Sequence, residues 1–373
     1  MRVVIAGGGT GGHLFPGVAV AEEFIRRDGR TQVIFIGTQR GIESRWLGPI
    51  GYELRTINVE GIKGRGAKAL AKGFYQIPQS IWQSRRILKD FHPDIVIGVG
   101  GYASGPAVLA ACFMGIPTAI AEQNAVPGVT NKILGLFADK IFVTYAQTAA
   151  LFPRDKVLLS GNPVRAAFAG VRRLPKEERW FRNLLIFGGS QGARAINKSV
   201  VEMLPELQKM EPKVHVLHQT GNQEAEAVKK AYAGYDVAAN VTPFITDMAG
   251  VYRQTDLIIC RAGATSLAEI TAAGKAAILI PFPWAADDHQ TKNAQALADA
   301  GAAVMIPEKE LSGKKLFAAV NDLLSDGDKI SLLEENSARL GKINAAEIIV
   351  DACLQLTAKK RGDNFKTAKK RKI

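Results

Sequence analysis

The chain of 373 residues contains only three cysteines, Cys112, Cys260 and Cys353, and they stand far apart. That scarcity excludes a disulfide scaffold and every cysteine-based metal or redox motif. No G-x-x-x-x-G-K-[ST] run occurs, which disfavours a P-loop nucleotidase. Acidic clusters are equally absent. Asp287-Asp288 is the nearest candidate for a Mg²⁺ site and reads as loop charge, so no metal is expected. The N-terminal stretch MRVVIAGGGTGGH has an apolar run of four residues, Val3 to Ala6, too short for a signal peptide. One uncharged stretch, Ile95 to Ala121, is long enough to span a bilayer, but five glycines and two prolines punctuate it. Such punctuation fits strand, turn, helix and strand better than one spanning helix. The expectation is a cytoplasmic protein without a membrane span.

What is present describes an ordinary globular protein. Hydrophobic residues make up 47% and charged residues 22%. At roughly 150 residues per domain the length suggests two domains. The net charge of +13 is uneven: Ala358 to Ile373 carries eight basic residues and one acid, and Gly61 to Lys89 carries seven basic residues and no acid. Each segment is therefore +7, and the remainder of the chain is −1. Two basic segments on a near-neutral body point to local contact with something anionic, a membrane surface or nucleic acid. A nucleic-acid protein is disfavoured, because no helix-turn-helix, RNP or zinc pattern accompanies the charge.

Short β-branched runs alternate with helical patterns. Val3–Ala6, Val33–Gly37, Ile95–Val99, Thr118–Ala121, Ile141–Thr144 and Val157–Leu159 read as strands. After a polar, basic interval the alternation restarts with Leu184–Phe187, Val214–Leu217, Leu257–Cys260, Ala277–Ile280 and Ala302–Ile306. Between the first two strands Leu14, Val18, Ala21 and Ile25 give one apolar helical face. Continuous apolar strands separated by helices indicate parallel sheets covered on both sides. The fold class is therefore α/β, two Rossmann-like, doubly wound halves. The boundary falls near residue 163, with an N-terminal domain over 1–163, a C-terminal domain over 164–344, and a basic tail over 358–373 expected to be disordered.

A strand feeding a glycine turn and a helix is an anion site, because free amides and the helix dipole favour negative charge. Gly7 to Gly12 forms one such turn, Gly188 to Gly192 with Ser190 a second, and Gly100-Gly101 a third. Glycines 7, 9 and 12 satisfy G-x-G-x-x-G. The second strand nevertheless ends Phe35-Ile36-Gly37-Thr38 without the acid that a dinucleotide ribose requires, which argues against an oxidoreductase. Each loop could equally be a tight structural turn. Ligands of such sheets sit beyond the carboxyl ends of the strands, here in a cleft between the domains.

Polar residues at these ends are the candidates. His13 follows the first loop, and an imidazole, with an ordinary pKa of about 6.5, can take a proton at neutral pH as a base must; the alternative is a histidine that caps or packs. Glu122-Gln123-Asn124 closes a strand, either for ligand contact or for turn chemistry. Arg165, after Gly161-Asn162-Pro163, can bind a diphosphate bidentately or form a surface ion pair. Ala264, Thr265 and Ser266 open a helix after Cys260. Glu269 can accept from sugar hydroxyls or complete a capping box with Ser266.

The motifs GGTGGHLFP at 8–16, GGYASGP at 100–106, EQNAVPG at 122–128, GNPVR at 161–165, GGSQGAR at 188–194, CRAGATSLAEI at 260–270 and HQTKNA at 289–294 occur in this order. Together they resemble the MurG family of peptidoglycan N-acetylglucosaminyltransferases, in glycosyltransferase family 28, over residues 1 to about 350. The resemblance implies the GT-B fold, two Rossmann-like domains facing across a cleft, with a C-terminal helix near 345–357 packed back on the first domain. It also implies inverting, metal-independent transfer of GlcNAc from UDP-GlcNAc to lipid I (undecaprenyl-diphospho-MurNAc-pentapeptide), giving lipid II, without a cofactor. By motif, His13 would be the base. Thr10, Gly11, Gly12, Asn124, Arg165, Ser190, Ile245 and Gln290 would contact the donor, Ile245 meeting the uracil through its backbone. Glu269 would bind the ribose, and Ala264, Thr265 and Ser266 the diphosphate. An acceptor carried by a lipid gives the Gly61–Lys89 segment a use. Lys72, Phe74, Trp82, Arg85, Arg86 and Lys89 form a basic amphipathic pattern suited to an anionic membrane. The implied location is peripheral, on the cytoplasmic face of the cell membrane, alongside other cell-wall synthesis proteins. Closer rivals are other GT-B enzymes, such as diacylglycerol glycosyltransferases, or UDP-GlcNAc 2-epimerases.

Overall fold

A computed structural model describes residues 1–59, 66–168, 171, 181–189 and 191–370; for 66–75, 286, 361 and 363–370 it describes the backbone alone. Ser190 and the side chains of Lys72 and Phe74 thus lie outside the described residues. The chain divides into two compact units, Met1–Ala166 with Ile343–Ile373, and Ala167–Lys342.

The first unit runs β1 (Arg2–Ala6), α1 (Gly11–Arg27), β2 (Gln32–Gly37), α2 (Glu43–Trp46), β3 (Glu53–Thr56), α3 (Gly66–Phe91), β4 (Ile95–Gly98), α4 (Ser104–Phe113), β5 (Thr118–Glu122), α5 (Val129–Phe137), β6 (Lys140–Val143), α6 (Ala146–Ala149) and β7 (Val157–Leu159). The second runs β8 (Phe181–Phe187), α7 (Arg194–Leu207), β9 (Lys213–Gln219), α8 (Ala225–Tyr232), β10 (Ala238–Thr242), α9 (Met248–Gln254), β11 (Leu257–Cys260), α10 (Ala264–Ala272), β12 (Ala276–Leu279), α11 (His289–Asp299), β13 (Val304–Met305), α12 (Gly313–Leu324) and α13 (Gly327–Leu340). A last helix, α14 (Ala345–Lys370), returns to the first unit.

Both sheets are parallel throughout, in the orders β3-β2-β1-β4-β5-β6-β7 and β10-β9-β8-β11-β12-β13. Parallel strands need crossovers, and right-handed crossovers in both directions from the first strand put helices on both faces. In the first unit one core gathers Val4, Ile34 and Val96 with Leu88 of α3, Ala107 of α4 and Leu134 of α5. The opposite core gathers Ile5, Phe35 and Ile97 with Leu14 and Val18 of α1 and Ile349, Val350 and Cys353 of α14. The alternation Val4 to one face and Ile5 to the other is the period-2 rule of a strand buried on both sides.

Several details depart from the sequence expectation. The buried face of α1 is Leu14, Val18, Ala21 and Phe24, while Ile25 turns to solvent. Two strands, β3 and β10, went unforeseen. Both are partly exposed sheet edges, ELRT and AANVT, in which polar residues interrupt the apolar ones, so neither shows an apolar run. The tail expected to be disordered instead continues α14 as helix to Lys370. Arg26 pairs with Glu347 at 3.3 Å and Arg27 with Asp351 at 2.9 Å, and Lys360 pairs with Asp139 at 2.8 Å, tying α14 along the first unit. On α3, Ser80, Ser84 and Leu88 are buried while Trp82, Arg85, Arg86 and Lys89 are exposed. That helix serves core packing with one face and leaves a basic face, with Trp82, to solvent.

Candidate functional site

In each sheet the strand order reverses direction at one place, between β1 and β4 and between β8 and β11. Crevices at such switch points are where doubly wound sheets bind ligands. Most of the candidate residues stand on the loops that leave these four strands or on their neighbours.

At the first switch point the Gly7–Gly9 loop takes φ values of 149°, 136° and 85°, which side chains rarely adopt. Its amides are spent inside the protein. Gly7 N–H donates to Ile36 O at 3.0 Å, Gly8 N–H to Gly100 O at 3.3 Å, and Gly9 N–H to the Glu43 carboxylate at 2.7 Å. Within the Gly7–Gly12 turn, the Gly7–Gly9 part is thus no open phosphate cradle, because a carboxylate takes the Gly9 amide and carbonyls take the other two. Thr10, exposed, is the N-cap of α1 and contributes no side-chain cap, and Gly11, Gly12 and His13 form its first turn. The His13 ring lies against the Gly100-Gly101 turn: a Cβ on Gly100 would come 2.6 Å from Nδ1. Only glycine admits the imidazole there.

The end of β5 shows turn chemistry. The buried Glu122 carboxylate accepts from Asn124 N–H at 3.0 Å, Asn124 Nδ2 at 3.2 Å, Gly128 N–H at 3.0 Å and Asn131 Nδ2 at 2.8 Å. Gln123 Nε2 donates to Val99 O at 2.9 Å. Glu122 and Gln123 thus build the loop that presents the half-buried Asn124. Arg165 lies with its guanidinium 4.5 Å from the Phe15 ring centre, a cation–π contact that sets it beside α1.

At the second switch point three loops interlock. Gln219, 2% exposed at the end of β9, donates from Nε2 to Gly189 O at 3.0 Å and accepts Ile245 N–H on Oε1 at 2.8 Å. Thr220 N–H donates to Thr242 O at 3.1 Å, and any Cβ on Gly192 would strike Thr220 O. Ile245 is thereby fixed relative to the glycine loop, although its N–H is already engaged. Nothing in the sequence reading singled out Gln219; its sign was a polar residue closing an apolar strand.

Gly263 is the N-cap of α10, so Ser266 sits inside the helix and the capping-box alternative for Glu269 does not form. Ala264 and Thr265 are buried, Ser266 partly so, and Glu269 is buried. Burial first, and the Glu269 charge second, push the Cys260 thiol far above its ordinary range, so it is no nucleophile. Arg261 braces the neighbouring loop. Its guanidinium meets Glu308 at 2.5 Å and donates to Ile280 O and Pro281 O at 3.2 Å. Gln290 Oε1 accepts Phe282 N–H at 3.0 Å on the same loop. Asp288 accepts the Thr291 hydroxyl at 2.7 Å, and no group of three His, Cys, Asp or Glu residues suited to a metal occurs among the described residues.

The glycosyltransferase family 28 N-terminal domain matches residues 3–143, and the family 28 C-terminal domain matches residues 183–354. A Syntrophus aciditrophicus protein named UDP-N-acetylglucosamine–N-acetylmuramyl-(pentapeptide) pyrophosphoryl-undecaprenol N-acetylglucosamine transferase is 53% identical over 95% of this chain and 99% of its own length. A Myxococcus xanthus protein of the same name is 48% identical over 98% of this chain and 95% of its own. Among solved structures, Acinetobacter baumannii MurG matches with a TM-score of 0.75 and 33% identity, covering 95% of this chain and 99% of that one. The UDP-GlcNAc 2-epimerase of Neisseria meningitidis, at TM-score 0.67 and 15% identity over 95% of this chain and 100% of its own, shares the fold alone.

Proposed function

The chain belongs to glycosyltransferase family 28, and from that premise we propose that it transfers GlcNAc from UDP-GlcNAc to lipid I, giving lipid II. The observation that carries this is the 53% identity to a named transferase over nearly the whole of both chains. The GT-B architecture of two doubly wound parallel sheets is consistent with it.

The chemistry is a single displacement. The MurNAc 4-hydroxyl oxygen attacks the anomeric carbon of GlcNAc, and the bond to UDP breaks with its electron pair leaving on the diphosphate. The hydroxyl proton passes to His13, and the configuration inverts. The second unit holds the donor: the Ala264–Ser266 turn at the start of α10 faces the growing negative charge of the diphosphate. Arg165 and the Gly188–Gly192 loop with Ser190 assist, while Ile245 meets the base and Glu269 the ribose. Thr10, Gly11, Gly12, Asn124 and Gln290 complete the donor contacts. No metal takes part in this scheme. Incubating UDP-[labelled GlcNAc] with a lipid I analogue tests the reading: label must appear in the lipid product, and must still appear with a chelator present. Label released as free sugar, or activity that needs Mg²⁺ restored, contradicts it.

The acceptor's lipid calls for a membrane face, and three helices on one side of the first sheet supply its chemistry. Trp82 on α3 is 61% exposed, Phe113 on α4 73% and Leu136 on α5 67%. Val129, Ile133 and Phe137 are also exposed on α5, as are Arg85, Arg86 and Lys89 on α3. Exposed apolar side chains together with cations suit an anionic bilayer. No described helix is long and apolar enough to cross a membrane, and the attachment proposed is peripheral. Pelleting with vesicles must rise with anionic lipid and fall with salt; binding indifferent to both would contradict this face.

A further inference from the structure

Glu43 is the first residue of the short α2, and only 1% exposed. Burying a carboxylate is costly unless donors surround it. Here the donors are uncharged: Gly9 N–H at 2.7 Å, Thr38 N–H at 2.8 Å and the Thr38 hydroxyl at 3.0 Å. Space for it is made by glycine. A Cβ on Gly8 would lie 2.5 Å from Oε2, one on Gly37 2.7 Å from Cγ, and one on Gly41 would strike both carboxylate oxygens. A residue so placed fixes whatever it bonds, and what it bonds is the loop that leads into α1.

The loop is clamped from two sides. Glu43 holds Gly9 on one side, and Gly100 O holds Gly8 N–H on the other. Gly100 is also the surface on which the His13 ring rests, and His13 N–H donates to Thr10 O one residue beyond the clamp. The path from Glu43 to the imidazole therefore passes through two tight glycine turns and no flexible side chain. We propose that Glu43 is a positioning residue, acting through the Gly7–Gly9 loop to hold His13 in register for proton transfer. The proposal rests on the reading of His13 as the base.

A double-mutant cycle tests it with purified full-length protein: wild type, Glu43→Gln, His13→Ala and both together. Each is assayed for kcat with labelled UDP-GlcNAc and a lipid I analogue, and for UDP binding by calorimetry. Misplacement of a catalytic group by about 1 Å costs up to about 10²-fold, so Glu43→Gln is expected to lower kcat about 10–100-fold with UDP affinity kept. Glu43→Asp, which keeps the carboxylate one methylene short, should recover part of the loss. In the His13→Ala background the Gln substitution should lower kcat no further, because the residue it positions is gone. Equal losses in both backgrounds, or wild-type kcat in Glu43→Gln, overturn the proposal while leaving the base reading intact. Near-wild-type turnover in His13→Ala alone instead overturns the base reading, and the positioning role falls with it. Should Glu43→Gln fail to fold, the same cycle with Glu43→Asp decides by the same criteria at smaller amplitude.

Discussion

Gln219 offers the sharpest test of how the second unit is built. Its amide uses both ends, donating to Gly189 O and accepting Ile245 N–H. Replacing it with leucine keeps the volume and removes both bonds. The Ile245 N–H then loses its acceptor inside a buried residue, at about 1–3 kcal/mol. Gly189 O keeps its bond from Gly192 N–H at 3.0 Å, so that end loses only the net worth of one hydrogen bond, about 0.5–1.5 kcal/mol. The sum is about 3 kcal/mol. For a domain of this size each kcal/mol moves Tm by roughly 2–4 °C, so the unit should melt roughly 6–12 °C lower. The same slackening moves the glycine loop relative to Ile245, so UDP should bind about tenfold or more weakly. Differential scanning calorimetry, followed by UDP titration well below the new midpoint, reads both effects. Gln219→Glu should be no milder, since it places an oxygen against the Gly189 carbonyl. A leucine variant with unchanged melting and UDP affinity would refute the claim that this amide couples the two loops.

Other outcomes follow from single residues. His13→Ala should lower turnover by about 10²–10⁴-fold, the usual worth of a placed general base, while calorimetry finds UDP binding largely intact. His218 is buried against Asn197 and Tyr232, and burial holds its pKa down to about 3. The unfolded chain binds a proton near 6.5 that the folded one refuses until about pH 3, so stability is full above 6.5 and falls as pH drops through that window, by about 1.4 kcal/mol per unit. Urea midpoints from pH 7 to 4 should slope less steeply in His218→Gln, and parallel slopes would assign the acid sensitivity elsewhere. Truncation after residue 357 removes a +7 segment and the Lys360–Asp139 pair. Pelleting with anionic vesicles should weaken while UDP binding holds; equal pelleting would give the tail no part in anchoring.

How much was legible in the sequence depends on what each residue answers to. The central strands were, because residues such as Val3–Ala6 and Leu257–Cys260 are buried on both faces and must be apolar throughout. The strands β3 and β10 were not, since each is half open to solvent and polar residues break up its apolar ones. The position of His13 was legible because a glycine turn and a helix start have local signatures. Glu43 and Gln219 were not, because their partners come from separate turns: Gly9 is 34 residues from Glu43, and Gly189 is 30 residues from Gln219. A polar side chain whose worth lies in contacts made only by folding leaves little local trace. The resemblance of the motifs supplied the acceptor, which no local pattern of residues describes.

The two switch points, alike in topology, differ in what they leave for a ligand. In the first, the three loop amides are consumed and a carboxylate sits among them, so the loop is a rigid support for the histidine that follows. In the second, α10 begins at Gly263, which brings no side-chain oxygen to its own helix terminus, and small residues follow it. A helix start without an internal anion can accept an external one, whereas the Gly7–Gly9 amides, already bonded to Glu43 and to two carbonyls, have none to offer. The difference matches a division of labour in the proposed reaction. In that proposed reaction α10 of the second unit takes charge of the leaving diphosphate, and the Gly7–Gly9 loop supports the residue that takes the proton. Glu43→Gln should therefore leave UDP affinity near its wild-type value, since the groups proposed for the nucleotide and its diphosphate at Ile245, Glu269 and Ala264–Ser266 stand on the second unit.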